Sequence, residues 1–468
     1  MAVLLRDRAD IDLDCFLRVA WRGEGAEIDA GALERIGACR RTFLELVDSD
    51  PDAIIYGVTT GAGDRASVRL SPEERAEWGS RPPATGATFG EPLPERVTRG
   101  IVLARLANFL GGHAAVRAEL AQAVAALLDG GPLPAVPVHG NGGSGEILAL
   151  GHLFHDLAIA VGVEPKETIA LVNGSPCAAA LVADVALAAR RRLGLAEEVF
   201  ALSAEAIRAP LEAYAEDLEP LWEDGHESAA LQRLRELLAG ATDERRPYQA
   251  PVSYRILPRV LGQARRAVDS AERAATVSLR SVSDNPVYVP PDDRRPLGAV
   301  ISTGGYHNAQ ASPAIDAIAF TWVDLSALAE RQMERLLQDP SALGTVDPFL
   351  NLLSMVQVGY AEEARNAAQP TFLPLGGFAQ NDTPSPTFFA WDKERRTAGF
   401  FEAALALLAA VASQTLYLNG LSPPPALTGL LDDVRELFPP LETWRQLGPD
   451  MGRLAAAFGD RAFASDYY

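Results

Sequence analysis

The chain has 468 residues, 48% of them hydrophobic and 22% charged, which supports a large buried core and excludes disorder, collagen and a disulfide scaffold. Its 42 Lys and Arg against 62 Asp and Glu give a net charge of −20, which repels both a phosphate backbone and an anionic bilayer. Neither nucleic acid nor a membrane is therefore an expected partner. Cys15, Cys39 and Cys177 are odd in number and far apart, a pattern that fits a reducing cytoplasm.

In chain order, the apolar patch Ala2 to Leu5 is broken at once by Arg6, Asp7 and Arg8 and does not read as a signal peptide. Ala53 to Tyr56 and Val287 to Val289 are short strand candidates. Apolar residues at helical spacing predict helices over Glu95–Leu128, Glu146–Val161, Ala178–Leu193, Leu257–Leu279, Ala314–Leu337, Phe349–Ala368 and Arg395–Leu418. Several of these are apolar on most faces, as in the centre of a bundle or at an oligomer interface. The expected fold is mainly α, an elongated multi-helix bundle with small β elements. Residues 1–200 form a loop-rich N-terminal part and 201–468 a helical bundle, intertwined as one unit. Glu198 to Arg246 is polar and acidic, suited to helices on the outside.

Gly- and Pro-rich connections at Gly57–Gly63, Gly130–Gly145, Ser302–Asn308 and Leu373–Pro386 are too long to be simple turns and are candidate functional loops. His152 and His155 share one helical face, but no third His lies near them in sequence, so no metal site is expected. The run Gly140-Asn141-Gly142-Gly143-Ser144-Gly145-Glu146 precedes a helix and carries one Ser among residues with almost no side chain. Attack of the Gly145 nitrogen on the Gly143 carbonyl would close a five-membered ring, and loss of water there and from Ser144 would leave an exocyclic methylene, an electrophile made from the chain itself. The alternative is a flexible loop that simply ends at a helix N-terminus.

Eight motifs in order bear on that choice. Tyr56-Gly57-Val58-Thr59-Thr60-Gly61-Ala62-Gly63 resembles the Tyr-Gly-x-x-Thr-Gly-x-Gly of the aromatic amino acid lyase family, the histidine and phenylalanine ammonia-lyases and related aminomutases. Gly143-Ser144-Gly145-Glu146-Ile147, followed by Leu150-Gly151-His152-Leu153, is similar to the family's Ala-Ser-Gly-Asp-Leu and Leu-x-His-Leu. Ala170 to Ser175, Gln249 to Arg255, Ser283-Asp284-Asn285-Pro286, Gly304-Gly305-Tyr306-His307, Glu330-Arg331 and Gln380-Asn381-Asp382 follow, so that the resemblance spans about Ala53 to Leu418.

The resemblance implies a 4-methylidene-imidazol-5-one prosthetic group formed from Gly143, Ser144 and Gly145, a carbon–nitrogen lyase or aminomutase reaction on an amino acid, and a cytoplasmic homotetramer that builds each site from several subunits. Tyr56 would be the base over the β-carbon, its phenolate stabilised by loop N–H groups. Arg255 would clamp the carboxylate, Asn173 and Gln249 would hold ring and substrate, and Tyr306 would line the pocket. Departures point away from histidine: Val252 stands where the family has Tyr, Ala62 where it usually has Phe, no ring-reading His follows Trp78, and Asn366 lies near where histidine-specific members carry Glu. Two further readings stand beside this one, an enzyme of the same fold with a different reaction on an amine, with or without the ring, and a catalytically silent helical binding protein.

Overall fold

The periodicities translate into helices through most of the chain. The computed structural model describes residues 2–50, 52–338, 350–377, 380–443 and 445–464. The long helices are Ala30–Ser49, Glu95–Leu110, Ile147–Val161, Pro176–Ala206, Leu257–Arg280, Ala311–Gln338, Leu352–Ala367 and Thr387–Leu418. The helix expected over 95–128 is two, Glu95–Leu110 and Ala118–Ala126, because Gly111 and Gly112 close the first. Strands are three residues long: Val3–Leu5 pairs in parallel with Ala26–Ile28, and Val287–Val289 pairs antiparallel with Ala299–Ile301. The expected strand at Ala53–Tyr56 is a turn, because the Ile55 carbonyl accepts from the N–H groups of Val58, Thr59 and Thr60 and leaves nothing for a ladder.

The chain divides into two compact units that interleave in sequence. The first comprises residues 1–187, 271–314 and 371–392, the second 188–270, 315–370 and 393–468. In the first, Glu95–Leu110 is buried from Val97 to Leu110. Its two buried arginines bind carbonyls rather than carboxylates, which removes the cost of unpaired acceptors inside a core. Arg99 donates to the carbonyls of Val19, Glu24 and Leu128, and Arg105 donates to Ala170 and Asn173 at the end of the helix Glu167–Val172. On Ala30–Ser49, Ile36, Arg40 and Phe43 are buried, and the Phe43 ring meets Tyr288 edge-on with centroids 5.6 Å apart.

In the second unit, Trp322 stacks on Phe401 at 4.9 Å and donates its indole N–H to Glu394 at 2.9 Å. The Tyr254 hydroxyl lies 3.1 Å from Ser203 Oγ and 3.2 Å from the Gln332 carbonyl. The polar stretch after Glu198 holds the helix Gly225–Leu237, capped by the Asp224 carboxylate and buried only along Ala230, Leu231, Leu234 and Leu237. The segments 167–206 and 387–418 are long and apolar enough to cross a membrane by length and composition, and their most apolar windows are 94% and 89% buried inside the protein.

Candidate functional site

A cavity of about 640 Å³ opens in the first unit, lined among others by Tyr56, Ser144, Gly145, Asn173 and Tyr306. Three connections and one short helix bring these residues together, and each is fixed by a different set of bonds.

Tyr56 rides on the Ile55 turn, where Thr59 Oγ1 accepts from Ile55 N and donates to the Ala53 carbonyl, both at 2.7 Å. Gly57 takes φ +67, and a Cβ there would lie 2.7 Å from Ile169, so only glycine fits the bend. The Tyr56 hydroxyl accepts the Gly63 N–H at 2.9 Å. That single loop amide favours phenolate, but burial outweighs it and moves the phenol above its ordinary value. The expectation that the glycine loop lowers this group is therefore corrected.

The Gly-Ser-Gly segment is tied at both flanks. Upstream, the buried Asn141 amide donates to the carbonyls of Pro137 and Val138 at 2.9 and 3.0 Å. Downstream, the buried Glu146 carboxylate accepts from Cys177 N at 2.5 Å and Ala178 N at 2.7 Å, at the N-terminus of Pro176–Ala206. Burial nonetheless pushes this carboxyl up to about 7. Between the flanks, Ser144 Oγ donates to the Thr383 carbonyl at 3.1 Å and the Gly143 carbonyl accepts from Ser385 N at 3.0 Å. Gly145 adopts φ +74 and faces the Tyr306 ring.

Asn173 follows Glu167–Val172, whose terminal carbonyls receive Arg105, and donates its amide to the Asn285 carbonyl. The Ser283-Asp284-Asn285 run is a hub. Ser283 N donates to Asn108 Oδ1 at 2.7 Å, Ser283 Oγ accepts Ser175 N at 2.9 Å, and Asn285 Oδ1 accepts Thr303 N at 2.8 Å. Asp284 pairs with Lys166 at 2.6 Å, both fully buried; burial lowers the Lys166 amine and the carboxylate opposes that shift. This hub sets the path of Ser302 to Tyr306 along the cavity wall.

The opposite wall runs from Trp78 to Thr85. His155 Nδ1 donates to the Pro83 carbonyl at 2.6 Å, Thr168 Oγ1 to the Arg81 carbonyl and Thr85 Oγ1 to the Ile147 carbonyl. A Cβ added at Gly86 would sit 3.0 Å from His152. His155 thus braces this wall, and His152 packs closely beside Gly86. Among the described residues no three His, Cys, Asp or Glu side chains cluster as a metal site. Arg81, paired with Glu77, is the only charged side chain among the described residues lining the cavity.

Gly143 lies behind Gly145 with Ser385 and Phe388 rather than on the main cavity. Gln249, Arg255 and Asn366 belong to the second unit and are exposed; Arg255 ends the short helix Val252–Arg255 with its Nε on the Ala250 carbonyl at 3.0 Å. The cavity amides that sequence reading passed over are Asn285, Gln380 and Asn381; the last two share a loop. Their motif, Gln380-Asn381-Asp382, is visible in sequence, yet the amides singled out were Asn173, Gln249 and Asn366, of which Asn173 alone lines the cavity. Gln380 reaches the Gly63 carbonyl, joining its loop to that of Tyr56.

The model of the aromatic amino acid lyase family matches residues 11–160 and 155–436. The histidine ammonia-lyase of Deinococcus radiodurans is 31% identical over 379 residues, covering 74% of this chain and 70% of its own. Tyrosine aminomutase from Streptomyces globisporus superposes with a TM-score of 0.87 at 22% identity, over 99% of this chain and 98% of that one. Ergothionase from Treponema denticola superposes at 0.86 and 18% identity, over 99% of both. At such identities the two structures speak for the fold alone, which is the mainly helical fold expected. With the family match spanning most of its length, the chain belongs to the aromatic amino acid lyases, carbon–nitrogen lyases of the ammonia-lyase and aminomutase type.

Proposed function

We propose that this protein eliminates or shifts the amino group of an amino acid other than histidine, using a 4-methylidene-imidazol-5-one formed from its own Gly143, Ser144 and Gly145. The observation that carries the reading is the convergence of Tyr56, Ser144, Gly145, Asn173 and Tyr306 on one cavity. The segment suits the group: Gly145 already holds a positive φ, and its flanks are anchored through Asn141 and Glu146. When formed, the group supplies an electrophile for the substrate amine, which is otherwise a poor leaving group.

The other tasks fall to side chains. Tyr56 takes the β-proton as phenolate, and because burial raises its phenol, that form is scarce at neutral pH. Asn173 and Tyr306 position substrate from the cavity wall. Arg255, Gln249 and Asn366 are proposed for substrate binding from their motifs, with the Arg255 guanidinium suited to a bidentate carboxylate clamp. The proposed setting is cytoplasmic and the proposed assembly a homotetramer. Exposed Leu352, Met355, Val356 and Val358 on Leu352–Ala367 support an assembly, which light scattering tests against a monomer.

Histidine is disfavoured because its imidazole would meet amides and hydroxyls, such as Asn381 and Tyr306, in place of an acidic or imidazole partner. Neither a carboxylate nor a His lines the cavity among the described residues. The raised phenol of Tyr56 also favours a second reading, a same-fold enzyme in which Tyr56 gives a proton to an amine substrate instead of taking one. Intact mass and near-UV absorbance decide the first point, since ring formation removes two waters and adds a band. Assays of histidine, phenylalanine and tyrosine for unsaturated acid or β-amino acid decide the second. Efficient conversion of histidine to urocanate would overturn the substrate reading.

A further inference from the structure

We infer that the backbone N–H of Ser385 is the oxyanion donor that promotes closure of the Gly143-Ser144-Gly145 ring; this rests on the proposal that the ring forms. The donor is singular for a covalent reason. Residues 384–386 read Pro-Ser-Pro, and proline has no N–H, so Ser385 carries the only amide hydrogen of that run. That hydrogen is directed at the Gly143 carbonyl oxygen, with N and O 3.0 Å apart. Ser385 is 3% exposed, so the bond is shielded from water, where a fixed donor stabilises developing charge most. The same segment accepts the Ser144 hydroxyl on the Thr383 carbonyl, which fixes the second reacting group.

Ring closure places charge where this donor points. The Gly145 nitrogen forms a bond to the Gly143 carbonyl carbon while the carbonyl π pair moves onto oxygen, which is held by the Ser385 N–H. The Gly145 N–H proton passes to that oxygen, giving a hydroxyl. The hydroxyl leaves as water with the Ser144 N–H proton, creating a carbon–nitrogen double bond. Removal of the Ser144 α-proton and its β-hydroxyl as a second water then gives the methylene. No electron acceptor or donor is required, and the products are the ring and two waters. Ser385 acts only in the first addition and makes no contact required by the later chemistry on substrate.

The test replaces the Ser385 amide by an ester, incorporating the α-hydroxy analogue of serine by nonsense suppression in cell-free translation, and follows intact mass against time. Loss of one oxyanion donor slows such steps by about 10²- to 10³-fold, so the ester protein is expected to fold, by circular dichroism, and to retain the mass of both waters long after wild type has shed them. Ser385→Ala, which keeps the N–H, is expected to mature at the wild-type rate. A folded ester protein that matures as fast as wild type overturns the inference, as does a folded Ser385→Ala protein that never matures. Should the ester protein fail to fold, the Ser385→Ala result alone decides between backbone and side chain. A wild-type protein of unaltered mass removes the electrophile reading itself, an outcome distinct from the others.

Discussion

The two walls of the cavity are built on different principles. The Gly-Ser-Gly segment is locked by buried groups at each step, with Asn141, Glu146 and Ser385 all less than a tenth exposed. The Trp78–Thr85 wall is held mostly through its backbone, by Thr168 and His155 on the Arg81 and Pro83 carbonyls, with the Thr85 side chain on the Ile147 carbonyl, while Arg81 extends into the open with more than half of its side chain exposed. A wall fixed by side chains resists substitution and suits covalent chemistry. A wall fixed by its backbone leaves side chains replaceable, which suits substrate selection.

The largest effect should come from breaking the locked wall at its reactive atom. Ser144→Ala is expected to abolish the mass deficit and lower turnover by on the order of a thousandfold or more, since the leaving amine loses its activation. Thermal stability should be nearly unchanged, because one hydroxyl bond to Thr383 at a half-buried position is all that is lost. Substantial elimination by that variant would remove the electrophile from the account.

Tyr56→Phe tests the base while giving up only the bond from the Gly63 N–H, and a loss of about 10²- to 10⁴-fold in kcat is expected. The pH profile carries the sharper information. With the phenol raised above its ordinary value of about 10, the phenolate fraction grows tenfold per pH unit across the neutral range. kcat/KM should therefore climb steadily through pH 9. A profile that stays flat through pH 9 would instead support Tyr56 as proton donor, since the raised phenol keeps its proton across that range.

Glu146→Gln probes the anchor of the locked wall through stability. The folded protein holds this proton up to about 7, against an ordinary value of 4.5, so the residue's contribution is fully favourable below pH 4.5 and is lost as pH rises through 7. The stability difference between wild type and Glu146→Gln should consequently shift by about 3 kcal/mol in favour of the variant between pH 4 and 8. Chemical denaturation at both pH values measures it, and a constant difference would show that Glu146 titrates in the folded protein at its ordinary value.

On the selective wall, Arg81→Gln should raise KM a few fold with kcat unchanged, because Arg81 is the only charge lining the cavity among the described residues and its exposed pairing with Glu77 contributes less than about 1 kcal/mol. An unchanged KM would show that the cation faces solvent throughout binding.

The locked wall was the more legible of the two in sequence. Tyr56, Ser144, Gly145, Asn173 and Tyr306 sit in short local motifs whose spacing survives as written, and the helices announce themselves through periodicity. The three-residue ladders at Val3–Leu5 and Ala26–Ile28 are too short to show alternation. Thr85 and Asn381 reach the cavity only by tertiary approach, and the Gln380-Asn381-Asp382 motif does not by itself say that its amides, rather than Asn366, face the cavity. Ser385 was invisible for a further reason: its role belongs to a backbone N–H, which every residue except proline has.

The smallest effect should come from Gly143→Ala, and its smallness is informative. The family's usual residue here is Ala, so the question is whether glycine is required by the backbone or by space. Gly143 has no positive φ, and a Cβ built on it meets only ordinary contacts, with Leu148 at 3.7 Å and the Gly145 carbonyl at 3.9 Å. The carbonyl that enters the ring, and its bond from Ser385, belong to the backbone and are kept. Gly143→Ala should therefore mature fully and change stability by no more than about 0.5 kcal/mol, while reducing the freedom of the unfolded chain. Gly145 differs in the one respect that matters, its φ of +74, and Gly145→Ala is strained wherever Gly143→Ala is not. If Gly143→Ala blocks the mass deficit, the glycine serves a conformation reached only during ring closure, and the resting backbone is a poor guide to the maturing one.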